Sequence, residues 1–239
     1  MTGRSELRKR FWDGLPELRP VPGELRAPLK DSWLHAAQME HASIASFGQL
    51  ALQLLSLGAP ADLVEQAHVA ALDEIEHARI CFALASAYGG RRCGPGALDA
   101  AAESSVLELE ALVCANVEEG CVGETLAALE AKEAARRAED PVVGAALQAV
   151  AFDEERHAQL GWSVWGWALA MAPELKAPTM AVFDEAIAQT RRGRPNDLRG
   201  KELEAHGRLA NSTRRELAMR HIEEVLLPAR EQLLSGLSR

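Results

Sequence analysis

Apolar residues recur along the chain every three or four positions, the spacing of amphipathic α-helices, and no useful stretch alternates with the two-residue period of a β-strand. Four long helices are predicted first, at residues 31–57, 62–88, 103–138 and 141–172. Two more follow at 178–191 and 201–235, on either side of a polar linker over 193–200. The periodicity therefore predicts an all-α protein.

Proline and glycine divide this helical pattern into three regions. Several prolines within residues 1–30 predict an irregular N-terminal arm. Residues 31–172 hold two helix pairs whose internal connections, at 58–60 and 140–141, are short enough to make each pair antiparallel. About 15 residues join the pairs and, at ~3.3 Å per extended residue, can cross the length of a bundle. The prediction is a four-helix bundle of two hairpins with a long crossover, and a helical extension over 173–239 packed on it.

Two copies of the motif Glu-x-x-His lie on the second and fourth predicted helices, as Glu74 with His77 and Glu154 with His157. Residues three apart on a helix project from nearly the same face, so each motif presents a carboxylate and an imidazole together. The copies are displaced by 80 residues, and each follows an aspartate. The chain therefore reads as two related hairpins that carry equivalent side chains.

These polar residues fall on the apolar faces of their helices. Glu40, on the first helix, lies in the stripe of Ile44, Phe47 and Leu54. An unpaired carboxylate in such a position is strongly unfavourable, and a bound cation removes that cost. Two Glu-x-x-His helices with one Glu from each of two others form the ligand set of dimetal carboxylate proteins. Imidazole and carboxylate together suit two iron ions, and manganese is an alternative.

The ligand from the third helix has two candidates. Glu119 lines up with the apolar stripe through Leu112 and Leu126, and it matches Glu40 in the internal repeat. Glu124 agrees better with the distance from the turn to the site in the second hairpin. We expect Glu119 to be the ligand, with Glu124 as the alternative.

The set of residues resembles the ferritin-like di-iron carboxylate superfamily, which includes bacterioferritins, rubrerythrins and di-iron N-oxygenases. The stretches 73–79 and 119–125 also look like bacterial ferritin-like domain proteins of undefined activity. The resemblance covers residues 31–172 and implies a ferritin-like fold. It does not imply one reaction, because the superfamily uses the same ligands for several.

By this resemblance, two glutamates would bridge the metals, and the other ligands would be terminal. The bridging pair is Glu74 and Glu154. The terminal ligands are Glu40, His77, Glu119 and His157. Asp73 and Asp153 match aspartates that orient the histidine of the opposite hairpin. No catalytic residue beyond the metal ligands is predicted.

We expect an oxidoreductase that activates O2 or peroxide and oxidises a small molecule, because the extra C-terminal helices can cover an otherwise complete ligand set. A ferroxidase that handles iron, a manganese catalase and a helical interaction protein without activity are the alternatives. Several features typical of relatives are missing: the chain has no CxxC pair, and Tyr88 is its only tyrosine. The substrate and the electron donor are not identified by the sequence.

The net charge of the chain and the character of its first residues indicate which partners and which cellular compartment to expect. A formal net charge of −9 argues against nucleic acid as a partner. Residues 1–10 are polar and basic with no apolar run after them, and no segment has the composition of a membrane span. We therefore expect a cytoplasmic protein without a membrane partner, and a homodimer is compatible with the sequence.

Overall fold

The computed structural model of the protein describes residues 15–98, 108–193 and 200–236. All regular structure within these ranges is helical, so the predicted all-α class is confirmed for them. None of the helices in the described ranges combines the length and the apolar character that a bilayer crossing requires.

The first helix pair consists of α1 (Gly23–Ser56) and α2 (Ala61–Gly89). The two helices pack closely along their lengths after a short turn. In that turn Gly58 has a φ of +69°, a conformation that glycine adopts without strain. The close packing and the short turn make the pair antiparallel, as its spacing in the sequence predicts.

The start of α1 corrects the predicted boundary of the N-terminal arm. The sequence predicts an irregular arm through residue 30, but the helix begins at Gly23 and contains Pro28. Proline inside a helix removes one hydrogen bond and crowds the carbonyl four residues earlier. Leu25, Leu29 and Trp33 nevertheless form a buried stripe at four-residue spacing. Their burial outweighs the proline's cost and extends the helix by two turns.

The second pair contains a feature that the sequence pattern does not predict. One unbroken helix is expected over 103–138, whereas the structure has α3 (Leu109–Asn116), a π-helical turn (Val117–Gly123) and α4 (Glu124–Arg137). Residues 99–107, which include the expected start of this helix, lie outside the described residues. The three segments run on continuously and pack against α5 (Pro141–Met171).

The start of α5 agrees with the prediction and has a clear local cause. The Asp140 side chain accepts hydrogen bonds from the backbone N–H groups of Val142, at 2.8 Å, and Val143, at 3.4 Å. Pro141 occupies the first helical position, where the missing N–H has no cost. Asp140 also accepts from the Arg19 backbone N–H at 2.6 Å, so the cap fastens the N-terminal segment to the second pair.

The π-helical turn lies where two helices approach unusually closely. A Cβ atom added to Gly161 on α5 would lie 2.4 Å from the carbonyl carbon of Gly120. Asn116 Nδ2 donates to the Gly161 carbonyl oxygen at 2.8 Å and bridges the two backbones. Only glycine permits this approach, because any side chain on Gly161 would overlap the turn.

The C-terminal extension is predicted to be one helix over 201–235 after its first helix, and the structure corrects this. Its elements are a 3₁₀ turn (Pro173–Leu175), α6 (Lys176–Arg192), α7 (Gly200–Leu203), a second 3₁₀ turn (Glu204–His206), α8 (Asn211–His221), a π-helical turn (Ile222–Leu226) and α9 (Leu227–Gly236). The expected linker falls largely on residues 194–199, which lie outside the described residues.

Gly207 explains the break in the extension. Its φ is +77°, in the left-handed region that side chains disfavour. A Cβ atom at this position would lie 2.6 Å from Val143 and 2.7 Å from Leu147. The chain therefore turns here and lies directly against α5.

Apolar residues form two clusters on either side of a buried polar centre. One surrounds Trp33, Leu84 and Val143, and the other surrounds Leu54, Val164 and Phe183. Between them lie four buried titratable side chains, which are Glu74, His77, Glu154 and His157. We call these four residues the polar centre, and their burial between two apolar clusters marks it as the candidate functional site.

Candidate metal centre

The polar centre and the glutamates beside it come from four helices, which are α1, α2, α4 and α5. Two groups of potential ligand atoms lie there, and within each group all atoms are within 4.8 Å of one another. The first group is Glu40, Glu74, His77 and Glu154. The second is Glu124, Glu154 and His157. Glu154 belongs to both, so the two groups form one continuous cluster that could hold metal ions.

Both histidines turn the same ring nitrogen toward the glutamates. His77 Nδ1 lies 3.3 Å from Glu154 and 3.6 Å from Glu74. His157 Nδ1 lies 3.1 Å from Glu154 and 3.2 Å from Glu74. Glu74 and Glu154 thus contact both imidazoles, whereas Glu40 lies at the edge, 4.0 Å from His77 Nδ1. Glu74 and Glu154 therefore occupy the centre of the cluster, and their bridging role stays a prediction.

The other ring nitrogen of each histidine faces an aspartate of the opposite helix. His77 Nε2 is 3.4 Å from Asp153, and His157 Nε2 is 3.4 Å from Asp73. The resemblance implies this crosswise contact. An acceptor at Nε2 holds the proton there and leaves Nδ1 free to bind a cation.

Arg156 is a member of the site that the sequence reading missed. Its guanidinium lies 2.7 Å from Asp73 and 2.6 Å from Asp153, so one cation ties the two aspartates together. The available signal was its place inside the second motif, between Glu154 and His157, where a helix directs it toward the neighbouring acidic residues. Arg156 therefore supports the side chains that orient the histidines.

The four glutamates have divergent proton affinities. Burial, together with the charges of Glu74 and Glu154, raises the pKa of Glu40 well above its usual range. Burial and the charge of Glu154 do the same for the pKa of Glu124. Burial also acts to raise the pKa values of Glu74 and Glu154, but their contacts with both histidines outweigh it and lower both values.

The histidines carry the compensating charge. Burial alone would lower their pKa values, but contacts with Glu154 and Glu74 raise the pKa of His77 to about 10. Asp73 and the same glutamates raise the pKa of His157 to about 11. Without metal, protonated histidines therefore compensate the charge of the buried glutamates that contact them.

Two divalent cations fit this donor set. Four carboxylates supply four negative charges, which match two such ions when both imidazoles are neutral. Glu74 Oε2 and His77 Nδ1 are also buried without a hydrogen bond from any described residue. Buried polar atoms without partners are rare and costly, and a metal ion would engage both. Iron and manganese both accept such mixed oxygen and nitrogen donors.

Glu124, and not the favoured Glu119, joins the cluster. Glu119 is exposed and belongs to neither ligand group of the described residues. The segment between them contains a π-helical turn, in which the Glu124 backbone N–H donates to the carbonyl of Glu119, five residues earlier. Val117, Cys121 and Val122 are buried in this segment, whereas Glu119 is not. The structure thus places the alternative candidate, Glu124, beside the other potential ligands, and its binding to metal stays a prediction.

A cleft leads from the surface to the cluster. It has a volume of about 670 Å³ and lies between α1 and the segment from α3 to α4. Phe47, Leu50 and Leu112 supply apolar walls, and the cluster residues Glu124 and His157 lie at its inner end. Phe47 packs against the His157 ring at 4.9 Å between centroids. A small organic molecule can therefore approach the ligands from this side.

Comparison with models of protein families, with curated proteins and with solved structures gives no match to this chain. The ferritin-like resemblance stays a prediction that rests on the residues themselves.

Proposed function

We propose that this protein is a dimetal carboxylate oxidoreductase with a ferritin-like four-helix bundle, and that its metals are two iron ions. The observation that carries the proposal is the pair of buried ligand groups joined through Glu154. Glu40, Glu74, His77, Glu124, Glu154 and His157 would hold the ions. When bound, such a metal pair supplies redox chemistry toward O2 or peroxide.

The chain's own residues would perform three tasks around that pair. Asp73 and Asp153 would keep the histidine protons on Nε2, so that Nδ1 remains a donor to metal. Glu74 and Glu154 contact both imidazoles and would link the two metal positions. The apolar walls of the cleft would hold an organic substrate and exclude bulk water from it.

Metal analysis tests the proposal, and the chain provides a matched control. Glu65 and His68 form a third Glu-x-x-His on α2, but both side chains are exposed. After anaerobic loading with Fe(II) and desalting, we expect about two irons per chain in the native protein and in a Glu65→Ala/His68→Ala variant, the number that a dimetal site holds. Glu74→Ala/His157→Ala should lose most of the iron.

Oxygen consumption decides whether the metal pair is redox-active. The Fe(II)-loaded native protein should consume O2 when mixed with aerated buffer, as measured with an oxygen electrode, and the Glu74→Ala/His157→Ala variant should not. Full iron loading with no O2 or peroxide consumed would refute the oxidoreductase proposal. Equal iron content in all variants would refute the metal site itself.

Iron handling is a second candidate function. Glu119 is exposed and lines the cleft that leads to Glu124, so an acidic route from solvent to the cluster exists. Such a route would attract cations. Uptake of many irons per chain during repeated aerobic additions of Fe(II) would favour a ferroxidase, and saturation at two would favour the oxidoreductase.

A further inference from the structure

A second, smaller cavity adjoins the cleft at the level of the ligand cluster. It has a volume of about 220 Å³, and the C-terminal extension covers it with Arg208 and Arg214. Met39, Glu40, Ala127 and Glu154 line both this cavity and the larger cleft. The two spaces therefore meet end to end at the level of the candidate ligands.

Arg208 contributes a guanidinium without a carboxylate partner in the described ranges. Its Nε donates to Ser32 Oγ at 2.9 Å, and its guanidinium carbon Cζ lies 4.8 Å from the ring centroid of Trp33. No described carboxylate oxygen comes within 4.0 Å of it. Guanidinium carries five N–H donors and matches an oxyanion through two parallel hydrogen bonds. Most of its donor capacity is thus available to a ligand.

Two further donors at the same cavity lack acceptors. Arg214 Nε is 3.5 Å from Glu130 but is buried without a hydrogen bond, and the indole N–H of Trp33 is likewise buried without one. Two guanidinium groups and the single carboxylate of Glu130 leave one positive charge on this wall. The carboxylates of Glu40 and Glu154 also line the cavity, but they belong to the ligand cluster at its other end. The wall formed by the two arginines and Trp33 presents unsatisfied N–H donors and is complementary to an anion.

We propose that this cavity binds the carboxylate of a small organic acid, which would be the substrate of the proposed metal centre. A volume of about 220 Å³ suits a small organic molecule. One surplus positive charge matches a monocarboxylate. The binding does not depend on the metal, but the role as substrate site rests on the proposed function.

The position of the smaller cavity would place a bound acid next to the proposed metal centre. A carboxylate held at Arg208 leaves the rest of the molecule in the cavity, which ends at Glu40 and Glu154. These glutamates belong to the ligand group that includes His77. The arginines would therefore fix which carbon of the acid faces the metal pair, as bidentate anchors do in other active sites.

Calorimetric binding of defined probes tests this proposal. Butyrate and benzoate should bind the metal-free and the Mn(II)-loaded protein, whereas butyramide and benzamide, which lack the charge, should bind at least about tenfold more weakly. Inorganic phosphate is the comparison anion. Tighter binding of phosphate than of either carboxylate would overturn the assignment to a monocarboxylate.

Substitutions locate the binding site. Arg208→Gln, Arg208→Lys and Arg214→Gln should each weaken benzoate binding by about tenfold or more, because lysine cannot reproduce the planar contact. The exposed Arg215, next to Arg214 on α8, provides the control, and Arg215→Gln should bind benzoate as the native protein does. Unchanged binding in Arg208→Lys and Arg214→Gln variants that melt at the native temperature would overturn the proposal.

The two proposals fail separately. Benzoate binding that depends on Arg208 in a protein that takes up no metal would refute the metal centre and retain the anion site. Two metals per chain with no carboxylate binding would refute the anion site and retain the metal centre.

Discussion

Glu119 and Glu124 lie on one continuous helical segment, yet only Glu124 is part of a ligand group in the described residues. Both side chains line the cleft. Burial raises the pKa of both, and the pKa of Glu124 is raised well above its usual range by burial first and then by the charge of Glu154. A carboxylate is held in such an environment only if a compensating partner is available. Substituting each of the two residues therefore tests which one binds metal.

Neutralising each glutamate in turn gives this test. Glu124→Gln should reduce metal affinity by at least about 100-fold, because loss of even an outer residue of a metal site commonly costs 10- to 100-fold. Glu119→Gln, on the same segment, should leave affinity and stoichiometry unchanged. Competition with a chelator of known affinity measures both. The reverse result would restore Glu119 as the ligand.

At the level of elements, the contact between α5 and the π-helical turn determines where Glu124 lies. The turn and α5 approach through Gly120 and Gly161, and Asn116 fixes their spacing. A π-helical turn has a wider hydrogen-bonded loop than an α-helical one, so it persists where packing holds it. The Gly120–Gly161 contact thus couples the packing of two helices to the composition of the cluster.

Alanine substitution on α5 probes this coupling. Gly161→Ala should cost about 1–3 kcal/mol, because the new methyl group overlaps the opposite backbone, and it should also lower metal affinity by moving Glu124. Gly144→Ala on the same helix is the control. Its Cβ would be 3.6 Å from the nearest atom, and it should stabilise the protein by roughly 0.5–1 kcal/mol. Thermal melting with and without metal measures both effects. A Gly161→Ala protein of native stability would contradict the close approach.

Much of this organisation could be predicted from the sequence, and the failures have physical causes. Pro60 and the Asp140-Pro141 pair mark helix starts through local chemistry, so those boundaries were predictable. The repeated Glu-x-x-His identified four residues of the buried cluster because their helices are regular. The π-helical turn and the break at Gly207 depend on contacts with α5, distant in sequence, and no local pattern encodes them. Glu119 was preferred because it shares an apolar stripe with Leu112 and matches Glu40 in the internal repeat, although the turn-to-site distance already favoured Glu124.

Across the whole molecule, Glu204 fastens the C-terminal extension to the second helix pair. It accepts hydrogen bonds from Thr213 Oγ1 and, at 3.2 Å, from the Ala210 backbone N–H. Arg137 on α4 donates to its other oxygen at 2.6 Å. One buried carboxylate therefore links α4 to the segment that carries Arg208. The extension's position over the smaller cavity depends on this link.

The link that Glu204 makes between α4 and the C-terminal extension should weaken at acidic pH. Burial acts to raise the pKa of Glu204, but Thr213, Ala210 and Arg137 outweigh it and lower the pKa below its ordinary value of 4.5. A carboxyl group whose pKa is depressed by folding stabilises the fold above its unfolded pKa and loses that effect as the pH falls through the folded value. We therefore expect the Glu204 contribution to be complete at pH 7 and to decline progressively as the pH falls below about 4.

Two variants measure this contribution. Glu204→Gln should destabilise the native protein by about 1–3 kcal/mol at pH 7, with a smaller difference at pH 3.5, as read from melting temperatures. Glu202→Gln, an exposed neighbour, should melt like the native protein at both values. A constant difference between native and Glu204→Gln proteins across this range would exclude an ionised Glu204 as the link.

The end-to-end arrangement of the two cavities has a kinetic consequence. Each is bounded by Glu40 and Glu154, yet each has its own walls, so filling one does not require the other to empty. Two reactants could therefore be present at once, one on either side of the Glu40 and Glu154 side chains, where the proposed metal centre would lie. A bisubstrate reaction here would pass through a ternary complex, and its double-reciprocal plots would intersect and not run parallel.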